Sequence, residues 1–172
     1  MAKGKDNVSL DLEINFLDSI LYNHVEQNNR LDQKASFLLG VSGLIFTLTI
    51  SELLIFQETS LEKASLLIIA LSALASCILA IWTIRPPFSE QHERPNLMFY
   101  RGFGKLCLED YKKKLLEVIQ DKEKLVGSYA TEVYALYQAA IRPKYKLIKK
   151  ASWILTVGLS VGGVLFLLGC LI

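Results

Sequence analysis

Three blocks of this chain carry almost no charge, and each is long enough to cross the hydrocarbon core of a bilayer. Phe37–Phe56 has 20 residues and one charge, Glu52, near its end. Ala64–Ile84 has 21 residues and no charge, and Ala151–Ile172 has 22 and none. Roughly 20 apolar residues rising ~1.5 Å each span ~30 Å of hydrocarbon. A lone segment in lipid must satisfy its own backbone hydrogen bonds, so each block is expected to be a helix. Buried helices of a soluble protein rarely run this long without a polar face. A hydrophobic fraction of 52% over 172 residues agrees with spans rather than with an ordinary soluble core. The expected fold class is an all-α membrane protein with three transmembrane helices.

Positive charge then sets the orientation. Residues 1–36 carry four Lys or Arg, the short turn Gln57–Lys63 carries one, and Arg85–Lys150 carries fourteen. Basic residues stay on the cytosolic side, so the first two spans form a hairpin whose turn lies outside. The expected organisation is a cytosolic N-terminal helix (1–36), a two-span hairpin (37–84), a cytosolic loop and helical hairpin (85–150) and a third span (151–172). The N-terminus is placed in the cytoplasm and the C-terminus outside. Trp82 ends the second span and Trp153 opens the third, both at the cytosolic interface that indole rings favour. Tyr145 with Lys144, Lys146, Lys149 and Lys150 forms a basic collar under the third span. Its two readings are control of topology and attraction to anionic lipid. The first span follows an acidic amphipathic stretch and precedes no small-residue cleavage site. It is expected to belong to the mature protein rather than to a secretory signal.

The N-terminal stretch has a heptad seam. Leu10, Ile14, Leu17, Leu21, His24, Asn28, Leu31 and Ala35 follow one another at alternating steps of four and three. No Gly or Pro interrupts residues 10–37, so one helix is expected to run straight into the first span. His24 and Asn28 are polar seam positions, read either as setters of register and oligomeric state or as ligand contacts in a subunit interface. Arg85-Pro86-Pro87 ends the second span, and residues 86–96 are expected to be a loop. A helix from about Phe99 or Gly104 to Leu125 follows. Gly127 is expected as its stop and Ser128 as the cap of the next helix. Pro143 is expected to kink that second helix on its way to the membrane. One long helix plus a helical hairpin makes a small cytosolic core, which oligomerisation would complete.

Small residues line the spans. Ser36, Gly40, Gly43, Thr47 and Ser51 mark the first, Ser72, Ser76 and Ala80 the second, and Gly158, Gly162, Gly163 and Gly169 the third. Such stripes let helices approach closely in lipid, within a chain or between chains. No Lys, Arg, Asp or His lies in a span interior and Glu52 sits near the outer edge, which argues against a proton relay or a selective transporter. The sequence holds no CxxC, HExxH, GxGxxG, P-loop or GxSxG pattern. Cys77, Cys107 and Cys170 do not make a disulfide framework. No enzymatic activity, metal, cofactor or nucleic-acid polymer is expected.

The juxtamembrane stretch Asn29-Arg30-Leu31-Asp32-Gln33-Lys34-Ala35-Ser36 resembles the start of the transmembrane effector family of bacterial Pycsar antiphage systems. In that family a D-x-K-A-like element leads directly into the first membrane helix. The two-span hairpin, the helical cytosolic segment and the Lys144-Tyr145 entry to a last span are similar too.

The resemblance implies an effector in the bacterial inner membrane. A partner cyclase would make cyclic CMP or cyclic UMP, and the effector would then impair the membrane until growth stops or the cell dies. Such a ligand carries one negative charge and a flat base, so its site would want a cation and an aromatic or amide group. The ligand-binding candidates are Asn29, Arg30, Asp32, Lys34, Tyr100, Arg101, Tyr134 and Tyr137, with Lys105 nearby in type. Asp32 and Lys34, two residues apart, point to different faces of a helix, and each has the alternative role of pairing with another helix. The expected partners are a cyclic nucleotide, the lipid bilayer and further copies of the chain. The alternative function is a membrane-anchored helical scaffold that recruits a cytosolic protein.

Overall fold

The computed structural model describes residues 3–55, 60–85 and 106–171, with side chains in the first stretch from residue 14 onward. It is all-α, and no strand occurs among the described residues. The helices are α1 (Lys3–Ile55), α2 (Ser60–Ile84), α3 (Leu108–Gln120), α4 (Lys122–Leu136), a π-helical turn (Tyr137–Ile141) and α5 (Arg142–Leu171). Three stretches, Ile14–Ile55, Ser60–Ile84 and Lys122–Leu171, are long and apolar enough to cross a membrane. The Pro86-Pro87 break, the loop 86–96 and the helix start near Phe99 or Gly104 fall outside the described residues.

α1 is unbroken, as the lack of Gly and Pro before residue 37 predicts. Its less exposed positions, Ile14, Leu17, Leu21, His24 and Asn28, continue in step as the buried Leu31, Ala35, Ser42 and Thr49. That 3.5-residue period keeps one face inward from Ile14 to Thr49. His24 Nδ1 lies 2.9 Å from the Ile20 carbonyl oxygen, so the polar seam residue is satisfied within its own helix.

The chain forms two compact units, Met1–Asn28 with Pro87–Ile141 and Asn29–Pro86 with Arg142–Ile172. In the second unit α2 and α5 pack closely. The buried positions of α5 are Lys144, Ala151, Leu155, Gly158, Gly162 and Gly169, again at heptad steps. A Cβ at Gly158 would collide with the Ser72 side chain, and one at Gly162 with Ile69. The glycines are therefore what lets the two helices touch. α1 joins α2 through a buried hydrogen bond from Ser42 Oγ to Ser76 Oγ, 2.9 Å long. The outer faces stay apolar and open, with Phe37 74% exposed and Leu54 80%. Exposure of that extent in a chain with three spanning helices is a lipid-facing surface. The protein is an integral membrane protein.

In the first unit α3 and α4 are separated by one residue, and the break between them is not at Gly127. It falls at Asp121, whose backbone is extended and whose carboxylate accepts from the Glu123 and Lys124 amides at 3.0 and 3.3 Å. Gly127 lies inside α4, and the Ser128 hydroxyl bonds back to the Lys124 carbonyl oxygen at 2.8 Å. An aspartate cap is worth about 1 kcal/mol, similar to the cost of a glycine within a helix. Two signals of like size competed, and the cap fixed the boundary. Lys124 bridges back across the break to Glu117 at 2.8 Å, which holds that exposed carboxyl below its usual range. The disturbance expected at Pro143 is the π-helical turn Tyr137–Ile141 just before it. A wide turn there relieves the clash between the proline ring and the carbonyl one turn back.

Candidate functional site

Asp32 and Lys144 lie 112 residues apart in sequence and meet in the second unit. Lys144 Nζ donates to both carboxylate oxygens of Asp32, at 2.7 and 2.8 Å. The lysine side chain is 10% exposed and the aspartate 34%. Asp32 projects from α1 beside the buried Leu31 and Ala35, and Lys144 opens α5 one heptad before the buried Ala151. An ammonium group this buried is tolerable only with a carboxylate against it. The pair therefore fixes α1 to α5 at the end of the three-helix packing where both helices enter it. Asp32 takes the structural role named for it as the alternative, a partner on another helix.

Lys34 and Ser36, from the same short element, are exposed, as are Asn29 and Arg30. Arg30 and Lys34 are one turn apart and share a face of the helix. Tyr134 and Tyr137 belong to the first unit, where Tyr134 ends α4, Tyr137 opens the π-helical turn, and both rings are exposed. Tyr100 and Arg101 lie outside the described residues. The candidates thus divide between two units, and the contact the structure does show among them is Asp32 with a residue outside the set. Among the described residues no group of His, Cys, Asp and Glu is placed to hold a metal.

Two residues outside the list of ligand-binding candidates bear on the site. Lys144 was one lysine of a surface collar, yet the heptad that buries Ala151, Leu155 and Gly158 reaches Lys144 when extended back one repeat. The other is Asn28, next to Asn29 on the α1 seam. Its Oδ1 is buried and has no hydrogen-bond partner among the described residues. A buried acceptor without a donor costs about 1–3 kcal/mol, so it is a natural place for a ligand or water to donate.

The two short elements that carried the family resemblance, Asp32-x-Lys34-Ala35 and Lys144-Tyr145, are thus bonded to each other. A family model decides the matter, since that of PycTM, the Pycsar effector protein domain, matches residues 16–170. The chain belongs to the Pycsar effector family. The match runs from the N-terminal part of α1 to the last turn of α5, so it takes in the ion pair and all three spanning helices. No curated protein and no solved structure matches the chain. Membership in this family gives the chain a role as an effector in antiphage defence.

Proposed function

We propose that this Pycsar effector is switched by a cyclic pyrimidine mononucleotide, cCMP or cUMP, and that the switched form perturbs the inner membrane and stops growth or kills the cell. The family match over residues 16–170 carries the reading. The protein acts by binding and rearrangement, without catalysis. Its N-terminus and the 85–150 segment lie in the cytoplasm and its C-terminus outside, in keeping with the placement of fourteen of the Lys and Arg residues in that segment.

The ligand's phosphate is held by Arg30 and Lys34 on their shared face of α1, and Asn29 offers an amide to the base. The orphan Asn28 Oδ1 would accept a base N–H, the amine of cytosine or the imide of uracil, and the size of the site rather than this acceptor would exclude a purine. Both lie within seven residues of Asp32, whose bond to Lys144 is the joint that ligand binding biases. Moving a two-state equilibrium from 1:99 to 99:1 takes about 5.5 kcal/mol of differential affinity. Several sites in a homo-oligomer supply this more easily than one.

The spans support self-association. On α5, Gly158, Gly162 and Gly169 are filled by α2 from the same chain, whereas Gly40 and Gly43 on α1 have nothing within 4 Å of a Cβ position. Thr47 and Ser51 extend that open face, their hydroxyls satisfied by their own helix at 2.9 Å. A second copy packs there.

The test is thermal melting of detergent-purified protein against cyclic mono- and dinucleotides. A ligand of the folded state alone stabilises by ~2.7 kcal/mol at a hundredfold excess over its dissociation constant. A cyclic pyrimidine mononucleotide is expected to raise the melting temperature of the wild type and to leave Lys34→Ala unmoved. Folded protein that responds to no nucleotide would overturn the reading in favour of the membrane-anchored scaffold.

A further inference from the structure

One face of α5 reads as a lipid from headgroup to tail. Lys146, Lys149, Lys150, Trp153 and Ile154 fall at helical steps on that face and line an open cleft of about 430 Å³. All three lysines and the indole are exposed. The neighbouring Lys144 spends its charge on Asp32. Lys146, Lys149 and Lys150 have no carboxylate partner among the described residues, so three uncompensated positive charges belong to the residues that border the cleft, whose exposed lining is their aliphatic stems with the apolar parts of Trp153 and Ile154. Below them the same face continues as Val157, Val161, Val164 and Leu168, all exposed.

The dimensions decide what fits. Ile154–Leu171 covers roughly 27 Å at ~1.5 Å per residue, close to the ~30 Å of a hydrocarbon core. Lys146 stands about 10 Å above Trp153, which is the depth of a headgroup layer over an indole at the interface. Free phosphate or a soluble nucleotide would match the lysines but leave the aliphatic stripe beneath them unused. A phospholipid matches both, and the charge calls for an anionic one.

We infer that this face of α5 is a binding site for an anionic phospholipid, its phosphate held by Lys146, Lys149 and Lys150, its glycerol level against Trp153 and one acyl chain along the valine stripe. The site is distinct from the nucleotide switch and does not depend on it. A lipid bound here braces α5 just after the Lys144–Asp32 joint, so the composition of the membrane would set how readily that joint moves.

The test uses the full chain with Trp82→Phe, which leaves Trp153 as the one tryptophan, in vesicles without nucleotide. Phosphatidylcholine vesicles receive equal fractions of either phosphatidylglycerol or phosphatidylcholine brominated near the headgroup end of the acyl chains. Both leaflets carry the probe, so the orientation of the protein does not affect the reading. Brominated phosphatidylglycerol is expected to quench Trp153 more strongly. Each lysine at a membrane surface contributes up to roughly fivefold in affinity. The preference should therefore fall stepwise from K146Q to K146Q/K149Q and vanish in K146Q/K149Q/K150Q. The corresponding triple Arg variant should keep it. Equal quenching by both lipids would overturn the proposal. So would inorganic phosphate that relieves quenching by phosphatidylglycerol in the wild type where chloride at equal ionic strength does not, since the cleft would then belong to a soluble phosphate.

Discussion

Lys144 is the residue whose environment most constrains what this protein does. An ammonium group buried among apolar helices has one acceptable neighbour, and Asp32 supplies it in bidentate geometry. Losing one partner of a fully buried pair costs about 3–5 kcal/mol. Asp32 keeps a third of its side-chain surface open, so water softens the loss, and we expect about 1–3 kcal/mol for either Lys144→Met or Asp32→Asn. A double-mutant cycle read by chemical or thermal denaturation in detergent checks this. The two substitutions together should cost clearly less than their separate costs added, and strict additivity would show that the contact does not hold the helices. Asp32 was legible as a pairing residue because Asp32 and Lys34 point to different faces. Its partner was not, because four nearby lysines look alike in sequence and burial alone separates Lys144 from the rest.

The helices show which parts of such a fold sequence reveals. The seam of α1 was readable over eight positions because heptad spacing is a property of one helix. The break between α3 and α4 was misplaced because Asp121 and Gly127 exert opposing effects of similar size and only the realised cap distinguishes them. The small-residue stripes lay between these cases. They announced close packing, but the neighbour that fills each one is not written in the helix that bears it. The structure separates them, with Gly158 and Gly162 closed by Ser72 and Ile69 and with Gly40 and Gly43 open. Overpacking a filled contact costs about 1–3 kcal/mol or more. Gly158→Leu is therefore expected to lower the melting temperature of the protein. Gly43→Leu should leave melting near the wild type in dilute detergent but shift the oligomer distribution toward the monomer, as read by crosslinking or mass photometry. An unchanged distribution in Gly43→Leu would remove this face of α1 from the interface.

At the scale of the whole molecule, the fold class was legible because lipid imposes its own rule, that a long uncharged segment closes its backbone hydrogen bonds as a helix. The binding site was less so. A cyclic-nucleotide site assembled from helix faces leaves no local motif, unlike a glycine-rich phosphate loop, and its candidate residues divide between two units of the fold. The residues proposed to meet ligand share α1 with a membrane span, and the ion pair joins α1 to α5. In this mechanism ligand on the protein alone changes the permeability of a membrane. Dye release from sealed vesicles containing the purified chain measures that directly. Release is expected on addition of cCMP or cUMP, none with cyclic purine mononucleotides, and none with either in Lys34→Ala. Vesicles that hold folded protein and stay sealed in every cyclic nucleotide would contradict it.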